Sequence, residues 1–292
     1  WNPSGVPGGD HSSEGIAVSE VRSGTDRKRI LLVTAYDGTA YCGWQVQKNG
    51  ETIEGVLNRE LSALFGEDIV VTGASRTDSG VHALGNIAVF DIQTRMPAEK
   101  VAYALNGRLP DDIRIQRSFE VPSDFHPRKT SCVKTYEYRI LNREFELPSE
   151  RLNSYFFRRK LDAERMKAAC PYLIGEHDFK SFCSIHTQAE TTVRTIYSLS
   201  VETQPFPTQM DRTAYPAGPG SLICIRVTGN GFLYNMVRIL AGTLIQVGLG
   251  AYAPEDVEAM LEARDRQAGG PTAPGKGLTL VGMQYPEYPD FP

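Results

Sequence analysis

Three side chains carry the chemistry this sequence suggests: Asp78, Arg238 and Tyr136. Asp78 lies in Ser75-Arg76-Thr77-Asp78-Ser79-Gly80, between the apolar runs Ile69–Val71 and Ile87–Phe90. Asp-Ser-Gly is favourable turn chemistry, so the acid need only organise a turn and Arg76 need only be a solvated cation. Arg238 changes that expectation. It is the sole charged residue of Phe232–Leu249, a run that predicts a buried helix. An unpaired buried guanidinium costs several kcal/mol, so Arg238 requires a carboxylate from elsewhere, and Asp78 is the expected partner. Such a pair would hold the acid ionised at a low pKa in a water-poor cleft, ready to act as nucleophile or base.

Tyr136 belongs to Lys134-Thr135-Tyr136-Glu137-Tyr138-Arg139, in which aromatic and basic residues alternate. A period of two sends Tyr136 and Tyr138 to one face and Thr135, Glu137 and Arg139 to the other. The segment is either ordinary strand material or an aromatic set in a basic groove, which is what stacks a nucleobase. Other groupings are weaker. Cys170, His177, Cys183 and His186 have the spacing of no familiar zinc site, and Gly229-Asn230-Gly231 is neither a P-loop nor a dinucleotide fingerprint. No metal and no cofactor are therefore expected.

The elements that must position these residues follow from periodicity. Ile30–Ala35 reads as a strand; Thr52 caps a helix through Phe65 whose apolar positions Ile53, Val56, Leu57, Leu61 and Leu64 share one face. Strands are expected at 69–73 and 86–92, a helix from Pro97 to Asn106 with the proline at its first position, and a strand at 113–121. That order, β-α-β-β-α-β, is ferredoxin-like. The second half repeats it loosely: a strand at 131–141, a helix capped by Asp162, strands at 192–203 and 221–228, helices at 232–249 and 254–264, and a closing strand at 278–285. The Pro/Gly-rich segment 204–220 reads as a long mobile hairpin loop. The expected fold class is α+β, with two ferredoxin-like (RRM-like) subdomains on antiparallel sheets, over 29–122 and 123–286. Residues 1–28 and 287–292 are expected as tails, the first disordered because it is polar and rich in Gly, Ser and Pro.

Composition narrows the class. At 292 residues the chain can bury a large core, and its formal net charge of −4 gives no global basic signature. Charge is segregated, however: residues 128–167 hold eleven Lys/Arg against six Asp/Glu. That local excess is where a nucleic acid would bind. Five cysteines, scattered and odd in number, suit reduced thiols in a cytoplasmic protein. The apolar run 232–249 contains Asn235, Arg238, Thr243 and Gln246, so a buried helix is expected and no membrane span.

With these features assembled, the chain resembles the bacterial tRNA pseudouridine synthase A (TruA) family from about Arg29 to Pro286. The resemblance rests on 36–47 (YDGTAYCGWQVQ), 75–83 (SRTDSGVHA), 125–140 (FHPRKTSCVKTYEYRI), 176–182 (EHDFKSF), 193–196 (VRTI), 229–238 (GNGFLYNMVR) and 275–286 (GKGLTLVGMQYP). It implies a pseudouridine synthase fold and isomerisation of uridine at tRNA positions 38, 39 and 40, in the anticodon stem-loop. Asp78 matches the catalytic aspartate, Arg238 its paired arginine, Tyr136 the base-stacking tyrosine and Leu233 the aliphatic residue against the uracil. Arg76 matches an arginine associated with extruding the target nucleotide. Arg128, Lys134 and His82 join the expected substrate-binding set, with Lys129, Arg139, Arg158, Arg159 and Lys160 as further phosphate contacts. A homodimer is implied, with tRNA spanning both subunits. Ser75 stands where the family commonly has Gly, which predicts strain if that position needs a positive φ. Two rival readings of the residues remain: an RNA-binding module without chemistry, and an RNA N-glycosidase that would release free uracil.

Overall fold

The computed structural model describes residues 27–206 and 220–291. The N-terminal tail, up to residue 26, and loop residues 207–219 lie outside the described residues. Ten strands follow in chain order: β1 (Lys28–Tyr36), β2 (Thr72–Gly73), β3 (His82–Ile92), β4 (Ile113–Val121), β5 (Val133–Asn142), β6 (Tyr155–Phe157), β7 (Gly175–Asp178), β8 (Val193–Phe206), β9 (Gly220–Gly229) and β10 (Leu278–Gln284). They form one sheet in the order β4-β1-β3-β10-β5-β9-β8-β7, with β2 paired to β3 and β6 to β5. Pairing is antiparallel except for β5 with β6 and β10 with β3.

The last strand is therefore the middle of the sheet. On one side β10 runs antiparallel to β5, with Leu280 opposite Tyr136. On the other it meets β3 in parallel over only Thr279–His82 and Leu280–Ala83. This short seam joins the half that carries Asp78 to the half that carries Tyr136. The expected α+β class with antiparallel pairing holds in the main, and the two halves share one continuous, mostly antiparallel sheet.

Helices cover the sheet where their apolar stripes dictate. α1 (Ile53–Phe65) starts where the Thr52 hydroxyl accepts the Gly55 N–H at 3.2 Å, and Ile53, Val56, Leu57 and Leu61 are buried. α2 (Ala98–Asn106) begins one residue later than expected, with Pro97 at the cap. α3 (Ala163–Ala169) is capped by Asp162, which accepts the Glu164 and Arg165 N–H groups. α4 (Met236–Gly248) packs on α3 and β5 and is almost wholly buried, and α5 (Asp256–Ala263) ends at Arg264 in a left-handed conformation with φ 49°. No helix among the described residues is long and apolar enough to cross a membrane.

Three elements differ from expectation for identifiable reasons. The strand at 69–73 shrinks to Thr72–Gly73 because the Ile69 and Val71 N–H groups bond side chains of α1, Ser62 Oγ at 2.9 Å and Asn58 Oδ1 at 2.8 Å. Those N–H groups are then no longer available for a ladder. The helix at 232–249 starts only at Met236, because Asn235 is left-handed with φ 61°. Residues 204–206, read as loop, continue β8, with Phe206 opposite Gly220. At the C-terminal end Tyr288 and Phe291 stack on each other at 4.7 Å, and both meet Phe125 edge-on, so that segment packs on the core.

Candidate active site

Asp78 sits on the connection from β2 to β3, and that connection is held at many points. Ala74 N–H donates to Ile87 O at 2.7 Å. Asn86, fully buried on β3, grips Ser75 from both sides: its Oδ1 accepts the Ser75 N–H at 3.2 Å and its Nδ2 donates to Ser75 O at 2.9 Å. The same amide nitrogen donates to Tyr36 Oη at 3.3 Å, and that hydroxyl is 2.7 Å from Thr77 Oγ1. Thr77 O accepts the Trp44 N–H at 3.0 Å, and Gly43, with φ 87°, allows this approach, since a Cβ there would stand 2.7 Å from Thr77 O. The turn closes at Gly80, whose φ is 74°. Ser75 is not left-handed, so the strain expected of it is absent.

Arg238 reaches this loop from α4. Its Nη1 donates to Asp78 Oδ2 at 3.1 Å and to Asn235 Oδ1 at 2.9 Å, and its Nε donates to Ala273 O at 2.8 Å. The left-handed turn at Asn235 thus aims a side chain at the guanidinium. The backbone of α4 is tied as well, because Ala273 N–H donates to Arg238 O at 3.0 Å. Close packing of this segment depends on Gly242, where a Cβ would fall 1.8 Å from Pro271 O.

The expected pairing exists, but its electrostatic result differs. Burial is the largest influence on the Asp78 carboxyl and raises its pKa above the usual carboxylate value; the hydrogen bond and charge of Arg238 offset this only in part. Arg238 therefore orients the acid and limits the upward shift without reversing it.

Tyr136 is buried on the same face of β5 as Tyr138, and the edge of its ring meets Phe232 with centroids 5.3 Å apart. Burial pushes its hydroxyl up to about 12, despite a hydrogen bond with Ser75 that acts in the opposite direction. Leu233, on the turn that precedes α4, is buried and lines the same cleft as Tyr136. Asp78, Arg238, Tyr136, Leu233, Arg76, Arg128 and Lys134 all line one cleft of about 1150 Å³.

Charge in this cleft is one-sided. Asp78 is its only carboxylate and is already paired, whereas Arg76, Arg128, Lys134 and Arg194 make no ion pair among the described residues. Lys134 Nζ donates to Ala74 O at 3.0 Å, and burial, with Arg128 and Arg194 nearby, lowers its pKa. Uncompensated cations around a concave surface attract a polyanion.

Two expected contacts lie elsewhere. His82 does not line the cleft; its Nδ1 accepts the Gly38 N–H at 3.1 Å and its Nε2 lies 3.2 Å from Lys276 O, so it joins two loops. Arg139 points to the opposite face of β5 and pairs with Glu150 at 3.5 Å. Arg158, Arg159 and Lys160 are exposed. Among the described residues no three His, Cys, Asp or Glu side chains gather as metal ligands. Asn86, Asn235 and Tyr36 were not among the expected site residues. The signal for Asn86 was present, as an amide at the head of the apolar run 87–90.

The profile of the family described as tRNA pseudouridine synthase matches residues 32–128 and 169–286. The chain is 42% identical over 258 residues to a protein of Thermoanaerobacter sp. (strain X514) named tRNA pseudouridine synthase A, covering 88% of this chain and all of that one. It is 43% identical to proteins of the same name from Ruminiclostridium cellulolyticum, covering 88% of this chain and all of that one, and from Citrifermentans bemidjiense, covering 89% and 98%.

Proposed function

The chain belongs to the tRNA pseudouridine synthase family, and on that premise we propose that it isomerises uridine to pseudouridine in the anticodon stem-loop of tRNA. The observation that carries this reading is the Asp78–Arg238 pair, 3.1 Å long, set in one cleft with Tyr136 and with four cations that make no ion pair among the described residues. The element order of the first half, with the strand order β4-β1-β3-β2, supports reading 29–122 as one ferredoxin-like subdomain and 123–286 as the second. Positions 38, 39 and 40 are the proposed targets, with a homodimer as the acting form and the cytoplasm as its place of action.

The chemistry is internally balanced. The bond from N1 to C1′ breaks, the uracil turns, C5 bonds C1′, the C5 proton leaves and N1 gains one. Nothing is oxidised and no group is imported, so side chains alone suffice. Asp78 as carboxylate supplies the nucleophile or base that begins cleavage, and Arg238 aims it. Tyr136 and Leu233 hold the freed uracil in a dry pocket while it turns. The Tyr136 hydroxyl, pushed up to about 12, stays protonated at neutral pH and serves as a relay, taking the proton that leaves C5 as its own passes to N1. Taking the base from its stack costs a few kcal/mol, which phosphate contacts from Arg128 and Lys134 and insertion of Arg76 offset. The cations around the cleft provide affinity without reading sequence.

The test is incubation with unmodified tRNA transcript followed by position-resolved pseudouridine mapping. Asp78→Asn should abolish product while leaving tRNA affinity within a few-fold. Free uracil in place of pseudouridine would make the protein a glycosidase, and undiminished product from the variant would remove Asp78 from the reaction.

A further inference from the structure

Phe232, Leu233 and Tyr234 are consecutive in the turn before α4, yet they meet three different surroundings. Phe232 backs the Tyr136 ring, Leu233 is 5% exposed, and Tyr234 is 49% exposed while lining the same cleft. An aromatic ring left half in water at a cleft wall is an unused stacking surface. The backbone that presents it is fixed from several directions. Ser184 N–H donates to Tyr234 O at 3.0 Å, Met236 N–H donates to Leu233 O at 3.0 Å, and left-handed Asn235 is held by Arg238. Tyr234 has only two side-chain torsions to lose on binding, so it offers contact area at low entropic cost.

Two further observations point to nucleic acid as the occupant. The cleft, about 1150 Å³, is as large as or larger than pockets that enclose drug-sized ligands, roughly 300–1000 Å³, so it has room beyond one uracil. Arg194 lines it too; its hydrogen bonds go to the backbone oxygens of Thr191 and Val193, and it has no carboxylate partner among the described residues. An open aromatic plane and a guanidinium whose charge no carboxylate among the described residues offsets, in one cleft, match a base and its phosphate.

We propose that Tyr234 forms a second base-stacking subsite, covering the nucleobase adjacent to the target uridine. The inference rests on the RNA substrate class proposed above. When a nucleotide leaves its stack, each neighbour has one π-face laid bare; the Tyr234 ring covers one of them, and Arg194 holds the phosphate beside it. Because every base has such a face, the subsite tolerates any neighbour and sets affinity and not sequence preference.

The experiment measures binding by fluorescence anisotropy and product by pseudouridine detection on three RNA stem-loops. One is intact, and the others carry an abasic residue on the 5′ or the 3′ side of the target. Tyr234→Ala should weaken binding of the intact stem-loop about ten-fold or more, and Tyr234→Phe should stay within two-fold of the parent. On one of the two abasic RNAs, Tyr234→Ala should cause no further loss. An undiminished affinity for the intact stem-loop, or an equal loss on all three RNAs, overturns the subsite. Tyr234 is half-exposed, so its truncation leaves no buried void, and matching melting curves separate lost binding from lost folding. If the binding pattern holds but no pseudouridine forms, the proposed reaction fails and the subsite stands. If pseudouridine forms without the pattern, the subsite alone fails.

Discussion

Asp78 Oδ2 and Arg238 Nη1 lie 3.1 Å apart although 160 residues separate them in sequence. The guanidinium makes three hydrogen bonds at once, to Asp78, Asn235 and Ala273 O. Arg238→Ala removes all three and leaves a partly buried carboxylate without its counter-charge, a change of ~3–5 kcal/mol for buried pairs. Both the single-turnover rate and the melting temperature should drop sharply. Arg238→Lys keeps the charge but cannot span three acceptors with one ammonium, so it should retain stability better than rate. A fully active alanine variant would show that the pair does not serve catalysis.

The raised pKa of Asp78 sets the direction of the pH dependence. The single-turnover rate should fall as pH drops through the Asp78 value, with a midpoint above the ordinary 3.8. Because Arg238 lowers that value, Arg238→Gln should move the midpoint further up. The stability linkage has the sign opposite to that of a salt-bridged surface acid. The folded pKa lies above the unfolded one, so this group's contribution is present below about 3.8 and is lost as pH rises through the folded value. Asp78→Asn, neutral at every pH, should therefore melt within a few degrees of the parent at pH 7 while inactive. A rate profile flat down to pH 4 would contradict the assignment.

Asn86 does not line the cleft, yet it holds the backbone of Ser75, which does, by both its N–H and its carbonyl. Asn86→Ala leaves those two buried groups unpaired, at ~1–3 kcal/mol each, and frees the Tyr36–Thr77 link. The turnover number should fall by an order of magnitude or more with tRNA affinity nearly unchanged. An equal loss in affinity and turnover would mean that the whole half has loosened.

Gly242 of α4 lies against the backbone of Pro271, in the 270–274 segment that bonds Arg238. Gly242→Ala inserts a methyl where backbone oxygen stands, an overpacking cost of ~1–3 kcal/mol. Thermal melts should show that loss, and the rate should fall because helix and loop must separate around Arg238. A neutral effect on both would mean that the segment relaxes freely.

What the sequence revealed and what it hid divide along physical lines. Local signals were legible: Thr52 and Asp162 cap their helices, and period two put Tyr136 and Tyr138 on one face. The need of Arg238 for an acid was legible because a lone charge in an apolar run has few outcomes. Effects set by tertiary packing were not. The shortening of the strand at 69–73 depends on two side chains of α1 taking its N–H groups, and the aim of Arg238 on a left-handed Asn235. The upward shift of Asp78 reflects how deeply the loop is covered, which no local pattern encodes. The insertion of β10 between β3 and β5 pairs segments nearly two hundred residues apart on one side.

That insertion bears on how the protein comes into being during translation. A nascent chain can build β1 to β4 and then β5 to β9 as they emerge, but the two blocks have no shared ladder until residues 278–284 leave the ribosome. Asp78 and Tyr136 would remain on separate blocks throughout that interval. Activity therefore arrives late and all at once, and a chain ending ahead of Leu278 should lack the ladder that brings Asp78 and Tyr136 into one cleft.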